Sequence, residues 1–369
     1  MKLKIKKAEL IHIRLPLKEK FEISSGYVEE KDSIIIKLFT EDFTGYGDSP
    51  PMPAPFYSSE TPYTCIHVIK DFIIPGLLGK PFEKIEDLSC IFGDIRGNNF
   101  AKAGVEIALW DLLAKHDNKP LYKYIGGSKK NIPWKISIGI KPSIRKLLDT
   151  VGQFLDRGLR HIKIKIKKGW DIEPVEKIRE RFGNISLSVD ANSFYSLRDI
   201  GLFRELDNYG LVQIEQPLCH DDLYDHYKLR NSIKTPICLD ESIGSVTAAR
   251  NALDIGCCDI VNIKIQRVGG IANAIAIHDM CRENNIPVWI GCMPDSGIGH
   301  AAGLAMCSLS NVRYPCDIPP TGTYFKKDII EPGIKMNESA DIELYGGPGL
   351  GCTLKEGSVD ELKISSIEL

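Results

Sequence analysis

The sequence lacks the features that mark several classes of protein. No stretch approaches the roughly 18 consecutive apolar residues that a membrane-spanning helix needs. Residues 1–15 alternate basic and apolar side chains, which predicts a strand rather than a signal peptide. The formal charge of −2, from 47 Lys and Arg against 49 Asp and Glu, supplies no excess of cations for a nucleic acid. We therefore expect a cytoplasmic protein with no membrane and no nucleic-acid partner.

Cysteine pairs with metal-ligand or redox spacing are also missing. None of the 11 cysteines belongs to a Cys-x-x-Cys pair, and their spacing is irregular. Several of them, such as Cys65, Cys238 and Cys281, lie in apolar stretches. Thiols of this kind are usually buried and reduced in a cytoplasmic enzyme, so we predict no disulfide framework.

Alternation of strand and helix patterns dominates the second half of the chain. The 369 residues exceed the length of a typical (β/α)8 barrel, about 250 residues, and leave about 120 for a second unit. Helical patterns such as 174–181 and 248–254 separate the apolar runs, which predicts parallel strands in an α/β fold with a (β/α)7β-type TIM-like barrel. The predicted strands are 134–140, 162–166, 186–189, 212–214, 237–239, 260–265 and 288–290, with a last one near Val312.

The first 128 residues and the tail predict an α+β capping domain. Strands are expected at 3–15 and 33–39, a turn at 21–27, and helices at 62–74 and 99–116. The GYGD run at 45–48 and the proline-rich run at 49–55 are expected to interrupt regular structure. Residues 21–27 and 54–60 either close over a substrate or are ordinary surface loops. The predicted division is 1–128 for the cap, 129–325 for the barrel, and 326–369 for a tail that packs on the cap.

Five charged residues recur in phase with the β/α repeat. In the run HIKIKIK (161–167), the lysines share one strand face and the isoleucines the other. From Lys165 the next four charged positions follow at steps of 25, 25, 25 and 24 residues, namely Asp190, Glu215, Asp240 and Lys264. Successive strand ends surround a single mouth in a barrel. The pattern predicts three carboxylates with a lysine on either side.

Each of these residues has an ordinary structural explanation when it is taken alone. A strand with three lysines is usually a solvated face, and an Asp after a strand is often a helix N-cap. Glu215 before Gln-Pro fits a simple loop acid. Lys264 within an apolar strand is harder to explain, because lysine is seldom buried without a partner. Five such residues in one phase favour the functional interpretation.

An all-oxygen ligand set indicates a hard cation. Three carboxylates without Cys or His suit Mg²⁺, with Mn²⁺ as an alternative. Such an ion can bind a substrate carboxylate and stabilise the charge that develops when the adjacent carbon loses a proton. A lysine beside the ion and a second ammonium group has its pKa lowered by like charge, so it can act as the base. The predicted partner is therefore a small-molecule carboxylate.

Further residues are expected to support this site. Lys163 shares a strand face with Lys165 and is predicted to contact substrate or the ligands. Asn192 is expected to hold a ligand or water, and Glu241 to bind the metal indirectly or to hydrogen-bond Lys264. In the glycine-rich run 291–300, backbone N–H groups are expected to receive a carboxylate. Two side chains of that run are predicted to face the substrate, Asp295 and Ser296.

With these motifs in place, the chain resembles the enolase superfamily, its muconate-lactonizing subgroup, and more closely the o-succinylbenzoate synthase / N-acylamino acid racemase family. The resemblance implies that Lys165 is the principal acid/base, with Lys264 on the opposite face. It also implies that Asp190, Glu215 and Asp240 bind Mg²⁺, and that the protein is a homo-oligomer. The matching runs include KIKIKKGWD, VDANS, IEQPL, ICLDESI, NIKIQRVGG, DSGIGHAAGLA and PGLG.

The resemblance leaves two reactions open. One is dehydration of a succinylated cyclohexadiene carboxylate to o-succinylbenzoate in menaquinone synthesis, and the other is racemisation of N-acylamino acids, often N-succinylated. Both begin with the same enolate, so the lysines and the metal ligands do not choose between them. We take the synthase as the first hypothesis and the racemase as the second.

Some positions depart from the family pattern, and other activities are compatible with the same residues. The family usually has Leu, Glu and Arg where this chain has Pro294, Asp295 and His300, which bears on the choice of acyl acid. Only Asp317 stands where dipeptide epimerases carry two acids. A muconate-type cycloisomerase, a Schiff-base aldolase using one of the lysines, and a non-catalytic binding protein are the remaining alternatives.

Overall fold

A small sheet and a cluster of helices form the N-terminal part of the molecule. The computed structural model describes residues 2–369. The elements of this part are β1 (Leu3–Lys4), β2 (Lys7–Ile23), β3 (Gly26–Phe39), β4 (Thr44–Ser49), α1 (Pro62–Val68), α2 (Ile74–Leu77), β5 (Pro81–Phe82), α3 (Ser89–Gly93), α4 (Asn99–His116), α5 (Leu121–Tyr124) and β6 (Asn131–Ile132). The helix predicted over 99–116 is α4. The one predicted over 62–74 is α1, a π-helical stretch Ile69–Ile73 and α2.

The β2–β3 hairpin is longer than the sequence predicted. Strand pairing continues to Ile23, which lies opposite Gly26, so only Ser24 and Ser25 remain as the turn. The predicted turn over 21–27 is therefore mostly strand. Phe21, Ile23 and Val28 carry the β-branched and aromatic side chains that favour this extended pairing.

The GYGD run does not interrupt regular structure, which corrects the prediction. It lies inside β4, which pairs with β3. A Cβ on Gly47 would overlap the carbonyl oxygen of Gly104, and one on Gly45 would overlap that of Ala108. The two glycines are therefore needed because α4 packs its backbone directly against this strand, not because the chain turns there.

Gly47→Ala is expected to lower the free energy of unfolding by about 1–3 kcal/mol, because the added methyl group must push α4 away from β4. The measurement is urea unfolding followed by circular dichroism. Gly201→Ala is the control, since a Cβ there meets no atom within 4 Å. It is expected to change the free energy by less than about 1 kcal/mol. Equal destabilisation by both variants would contradict the proposed backbone contact.

The barrel and the tail follow in the order that the sequence predicted. In chain order the elements are β7 (Ile136–Ile138), α6 (Ile144–Asp156), β8 (His161–Lys165), α7 (Ile172–Phe182), β9 (Ser186–Asp190), α8 (Ile200–Leu206), β10 (Ile214–Glu215), α9 (Leu223–Arg230), β11 (Ile237–Leu239), α10 (Val246–Ile255), β12 (Ile260–Ile263), α11 (Ile265–Val268), α12 (Ile271–Glu283), β13 (Val288–Ile290), α13 (Gly297–Cys307), β14 (Ile330–Glu331), β15 (Ile342–Glu343), β16 (Thr353–Leu354), α14 (Glu356–Leu362) and β17 (Lys363–Glu368).

Seven parallel strands, β7 to β13, lie side by side in sequence order. The eighth strand predicted near Val312 is not a regular strand. Instead, Val312 forms a single parallel bridge with Val288, and Cys316 forms one with Trp134. Pro315 between the two bridges has no N–H to donate, which limits the pairing to isolated contacts. These bridges connect the two ends of the sheet and confirm a TIM-like barrel with a capping domain.

The C-terminal tail returns to the N-terminal part. β17 pairs with β2 as the edge strand of the four-stranded sheet, and β15 pairs with β6. β6 lies just beyond the predicted limit at 128 and pairs with β15 of the tail. The domain limits at 128 and 325 stay a prediction.

Composition also led to expectations about the thiols and about membrane-spanning helices. All 11 cysteines are free, and eight of them are buried, although Cys90 and Cys219 are exposed. Among the helices of residues 2–369, none combines the length and apolarity needed to cross a membrane.

Candidate active site

The carboxyl ends of five barrel strands bring the in-phase residues together. Lys165, Asp190 and Glu215 are direct neighbours across β8, β9 and β10, because they occupy paired positions in the strand register. Asp240 and Lys264 each follow immediately after the last residue of β11 and β12. All five are buried. The regular spacing thus places one charged group at each of five successive strand ends.

The lysines of the HIKIKIK run do not form a solvated face. Ile162 and Ile164 are buried in the apolar core, so Lys163 and Lys165 point into the barrel interior, where they are also buried. Lys167 is more exposed and donates a hydrogen bond to Glu22 Oε1 at 2.9 Å. A strand covered by helices on one side and closed into a barrel on the other buries both of its faces.

Lys163 is held by two carboxylates and an aromatic ring. Its Nζ lies 2.8 Å from Glu215 Oε2 and 2.9 Å from Asp317 Oδ2, and 4.7 Å from the centre of the Trp289 ring. Burial opposes the charged form, but attraction to Asp317 and Glu215 outweighs it and raises the pKa of Lys163. Lys163 is therefore a permanent cation that fixes the position of Glu215.

Lys165 pairs with the first carboxylate of the predicted ligand set. Its Nζ lies 2.5 Å from Asp190 Oδ2, and the backbone N–H of Asn192 donates to Asp190 Oδ1 at 2.9 Å. Burial would raise the pKa of Asp190, but the ammonium groups of Lys165 and Lys163 lower it. Asp190 is consequently ionised and oriented before any ligand binds.

Asp240 is the acid of a second charged group, which follows β11, the strand next to β10. Lys264 Nζ lies 2.9 Å from Asp240 Oδ2, and the Arg267 guanidinium bonds the other oxygen. Lys264 also donates to the Tyr57 hydroxyl at 3.1 Å. Burial lowers the pKa of Lys264, but attraction to Asp240 outweighs burial and raises it. The sequence predicted a lowered pKa for a lysine in this position. A divalent cation beside Asp240 would have to offset the attraction before the pKa of Lys264 could fall.

The three carboxylates suit a hard divalent cation by their chemistry. Burial raises the pKa of Glu215, and repulsion from the neighbouring Asp190 carboxylate raises it further. Each acid is nevertheless turned to a basic side chain. Within residues 2–369, the Asp190–Glu215–Asp240 set is not among the groups whose ligand atoms lie within 4.8 Å of one another. An all-oxygen donor set of this charge fits Mg²⁺ once the lysine contacts loosen.

Asn192 and Glu241 contact each other next to these ligands. Asn192 Nδ2 donates to Glu241 Oε1 at 2.9 Å, whereas Glu241 Oε2 is buried without a hydrogen-bond partner among the described residues. Burial, and then repulsion from Asp240 and Asp190, raises the pKa of Glu241 to about 8. Lys264 bonds Asp240 and Tyr57. The hydrogen bond predicted between Glu241 and Lys264 is not formed, because Asn192 holds Glu241 instead.

Asp295 and Ser296 do not face the substrate cavity, which corrects their predicted placement. The N–H and Oγ of Ser296 both donate to Asp48 Oδ2 of the capping domain, at 2.9 and 2.7 Å. Asp295 is buried beside the same carboxylate, and burial followed by repulsion from Asp48 raises its pKa. Their neighbours Met293 and Pro294 line the cavity instead. The loop turns Asp295 and Ser296 toward the cap because Asp48 projects from β4 at this point.

A cavity opens above the lysines at the mouth of the barrel. Lys163, Lys165 and Lys264 line it, and residues of the hairpin tip and of the 54–60 segment form the opposite wall. Both segments therefore contribute to the cavity, which favours the substrate-closing alternative over ordinary surface loops. The apolar wall residues are Phe21, Ile23, Val28, Met52, Phe56 and Met293.

Several residues of the site were not predicted from the sequence. Asn262 donates to Glu215 Oε1 at 2.8 Å, and Asp317 receives the backbone N–H of Cys292 at 2.9 Å as well as Lys163. Arg267 belongs to the NIKIQRVGG run that carries the family resemblance, so this run could have indicated it. Tyr57 carries no periodic signal, because it reaches the site from the capping domain. Asp317 follows Cys316 at the eighth position of the barrel, where the even spacing of the other five residues is not kept.

Gln216 connects the segment that follows β10 with the segment that follows β11. Its Oε1 accepts the backbone N–H groups of Asp240 and Ser242 at 2.8 and 3.1 Å, and its Nε2 donates to Ser242 Oγ at 2.8 Å. The residue adopts a left-handed backbone with φ of 38°. Gln216 therefore determines where the Asp240 backbone begins its turn.

Gln216→Leu is expected to lower the free energy of unfolding by about 1–3 kcal/mol for each N–H left unsatisfied, and to raise the Mg²⁺ concentration for half-maximal activity. Gln213→Leu is the matched control, because neither polar atom of the buried Gln213 amide has a partner within residues 2–369. That change is expected to be neutral or stabilising. Chemical unfolding and a Mg²⁺ titration measure both variants, and equal behaviour would contradict the positioning role of Gln216.

Comparisons with known proteins agree with this geometry. The description "Mandelate racemase / muconate lactonizing enzyme, N-terminal domain" matches residues 6–126, and "Enolase C-terminal domain-like" matches 146–358. An o-succinylbenzoate synthase from Geobacillus stearothermophilus is 41% identical over 98% of this chain and 96% of its own length. An N-succinylamino acid racemase from Amycolatopsis sp is 37% identical over 99% of both chains. A solved enolase-superfamily structure from Listeria innocua has a TM-score of 0.95 and 38% identity, covering 100% of this chain and 99% of that one.

Proposed function

Since the chain belongs to the mandelate racemase / muconate lactonizing enzyme family of the enolase superfamily, we propose that it removes a proton α to a carboxylate and forms an enolate. The proposed reaction is that of an o-succinylbenzoate synthase, the dehydration in menaquinone synthesis. Full-length similarity at about 40% identity to a synthase supports this choice over more distant activities. The proposed partner is a small-molecule carboxylate.

One observation carries the proposal: two buried lysines face each other across the barrel above three carboxylates. Lys165 ends β8, and Lys264 follows β12, four positions further round the barrel. In a barrel of eight positions, a separation of four corresponds to opposite walls. Both side chains line the same cavity. A carbon held between them is accessible to an ammonium or amine group on either face.

We propose that Asp190, Glu215 and Asp240 hold Mg²⁺, with Mn²⁺ as the alternative. When bound, the ion would neutralise the substrate carboxylate and the charge that develops on it as the proton leaves. The carboxylates would position the ion, and Lys163 and Asn262 would keep Glu215 in place through the hydrogen bonds described above. Asn192 and Glu241 would stabilise the turn after Asp190.

In the proposed dehydration, Lys165 takes the α-proton from the substrate carbon. The same lysine then gives that proton to the departing hydroxide, so the carbon–oxygen bond breaks and water leaves. Lys264 stays protonated and stabilises the negative charge on the opposite side. The apolar wall of the cavity suits a hydrocarbon ring, and it limits the access of bulk water to the enolate.

N-succinylamino acid racemisation is the second candidate, alone or as an additional activity. The placement of the two lysines on opposite walls is compatible with it, because racemisation needs a proton acceptor on one face and a donor on the other. A full-length relative at 37% identity carries this activity in its name. Dipeptide epimerase, muconate-type cycloisomerase, Schiff-base aldolase and non-catalytic binding functions are weaker alternatives. A cytoplasmic location and a homo-oligomeric state stay predictions.

A proton NMR time course in D₂O with Mg²⁺ tests the proposal. One sample contains the cyclohexadiene precursor and a second contains a panel of N-succinyl amino acids, with precursor alone as the control for spontaneous loss. Fast aromatisation with little α-proton exchange in the amino acids is expected for a synthase, and exchange there would establish a racemase. No reaction in either sample would exclude both activities. Borohydride trapping of a substrate adduct would support the aldolase alternative.

A further inference from the structure

A second group of potential metal ligands lies behind the wall of the cavity. Cys292, Asp295 and His300 follow β13, on the loop to α13 and on its first turn. Each offers one ligand atom, and the three atoms lie within 4.8 Å of one another. This group differs from the Asp190–Glu215–Asp240 set, whose oxygens are each turned to a basic side chain.

Two atoms of this group lack hydrogen-bond partners. Asp295 Oδ1 and His300 Nε2 are buried, with both residues 2% exposed, and neither atom has a partner within residues 2–369. An unsatisfied polar group in an interior costs about 1–3 kcal/mol, so two adjacent ones require an explanation. A cation bound between them would satisfy both at once.

The donor types indicate which cation would bind. A thiolate, an imidazole and a carboxylate are the ligands that zinc proteins use, whereas Mg²⁺ prefers oxygen atoms alone. The buried His300 Nε2 has no hydrogen-bond partner within residues 2–369, so this nitrogen is available to a cation. We propose that Cys292, Asp295 and His300 form a second metal site that takes Zn²⁺ or a similar borderline divalent ion.

The site has a route by which an ion could enter. Cys292 is partly exposed and lines the substrate cavity, whereas Asp295 and His300 are covered by protein. An ion from the cavity would therefore meet the sulfur first. Binding would also fix Met293 and Pro294, because these two wall residues lie between two ligands in the chain.

The proposed site is joined to the lysine network and is independent of the proposed reaction. The backbone N–H of Cys292 donates to Asp317 Oδ1 at 2.9 Å, and the other oxygen of Asp317 bonds Lys163. An ion on Cys292 would thus restrain the segment that supports Asp317. The site requires no particular substrate, so it can be tested by metal binding alone.

Co²⁺ is a suitable probe because it replaces Zn²⁺ and gives a thiolate-to-metal charge-transfer absorption when sulfur is a ligand. The full-length protein would be titrated with Co²⁺ in excess Mg²⁺, which occupies the all-oxygen set. We expect one equivalent of Co²⁺ to produce this absorption and Zn²⁺ to abolish it. Cys292→Ser and His300→Gln are each expected to weaken Co²⁺ binding by about tenfold or more.

Cys219→Ser is the matched control. Cys219, His220 and Asp221 form the other group with ligand atoms within 4.8 Å, but all three are exposed, and the Cys219 thiol donates to Asp221 Oδ1 at 3.0 Å. Cys219→Ser is expected to retain the absorption. Because His300→Gln keeps the Cys292 thiol, loss of the absorption there reports ligation and not only a missing sulfur. Native circular dichroism of His300→Gln confirms its fold, which keeps the test valid if Cys292→Ser does not fold.

Two results would overturn the proposal. One is the absence of any thiolate absorption in the wild-type protein with Co²⁺. The other is an absorption that disappears in Cys219→Ser and persists unchanged in a folded Cys292→Ser or His300→Gln variant. Either result would reduce the buried group to ordinary interior polar residues.

Discussion

Replacing Lys165 by alanine is expected to lower kcat for dehydration by about 10²- to 10⁴-fold, the usual contribution of a general acid–base group. The substrate would lose the group that takes its α-proton and returns it to the hydroxide. Lys165 is buried at the end of β8, 2.5 Å from Asp190. Lys163 shares its strand face but is held by Glu215 and Asp317, so we do not expect it to replace Lys165. The measurement is steady-state formation of the aromatic product at saturating Mg²⁺.

Lys167→Ala is the matched control for that variant. It removes the next lysine of the same strand run, which reaches Glu22 of the hairpin tip and is more exposed. We expect its kcat to stay within about a factor of three of the wild-type value, because surface changes of this kind alter free energies by less than about 0.5 kcal/mol. Equal losses in the two variants would show that the strand requires the charge for folding and not for catalysis.

The single-lysine variants also separate the two candidate activities. In a racemase, Lys165→Ala would still exchange the α-proton of the enantiomer whose proton faces Lys264, and Lys264→Ala would exchange only the other enantiomer. In a dedicated synthase, Lys264→Ala would slow dehydration without any enantiomer-dependent exchange. Proton NMR in D₂O with separate D and L N-succinyl amino acids distinguishes these results.

Asp240→Asn is expected to have the second large effect, on metal binding and stability together. Loss of the charge should weaken Mg²⁺ binding by more than the roughly 10- to 100-fold caused by losing an outer partner of a ligand. It also leaves Lys264 and Arg267 buried without their shared carboxylate. Removing one partner of a buried ion pair costs about 3–5 kcal/mol. Isothermal titration with Mg²⁺ and urea unfolding measure the two effects.

Asp221→Asn is the control for this variant, since it removes an exposed acid on the loop after β10. Both its Mg²⁺ affinity and its stability are expected to match the wild-type protein. Removal of Mg²⁺ by a chelator should abolish activity in the wild-type protein, and added Mg²⁺ should restore it. Full activity of Asp240→Asn at low Mg²⁺ would contradict the assignment of Asp240 as a ligand.

The sequence predicted the placement of Lys165, Asp190, Glu215 and Asp240 at neighbouring strand ends. This was possible because a β/α repeat has a nearly constant length, so equal spacing in the chain becomes adjacency around the barrel. Lys264 was included for the same reason. Their proposed roles, by contrast, depend on resemblance and remain to be tested by the variants above.

Contacts between distant segments were not predictable from the same pattern. Asp48 reaches Ser296 across 248 positions of sequence, and Tyr57 reaches Lys264 across 207. These pairs depend on how the cap sits on the barrel, which no local period encodes. For that reason Ser296 and Asp295 were predicted to face the substrate, whereas the cap draws them away from it.

By itself, the sequence determined the fold class, the order of strands and helices, and the five charged positions at the barrel mouth. Periodicity carries this information because backbone geometry repeats along each element. Only the tertiary structure decided that Gly45 and Gly47 belong to a strand, that Asn192 holds Glu241, and that Cys292 approaches His300. Those outcomes depend on close packing and on hydrogen bonds between side chains that converge only when the barrel closes beneath its cap.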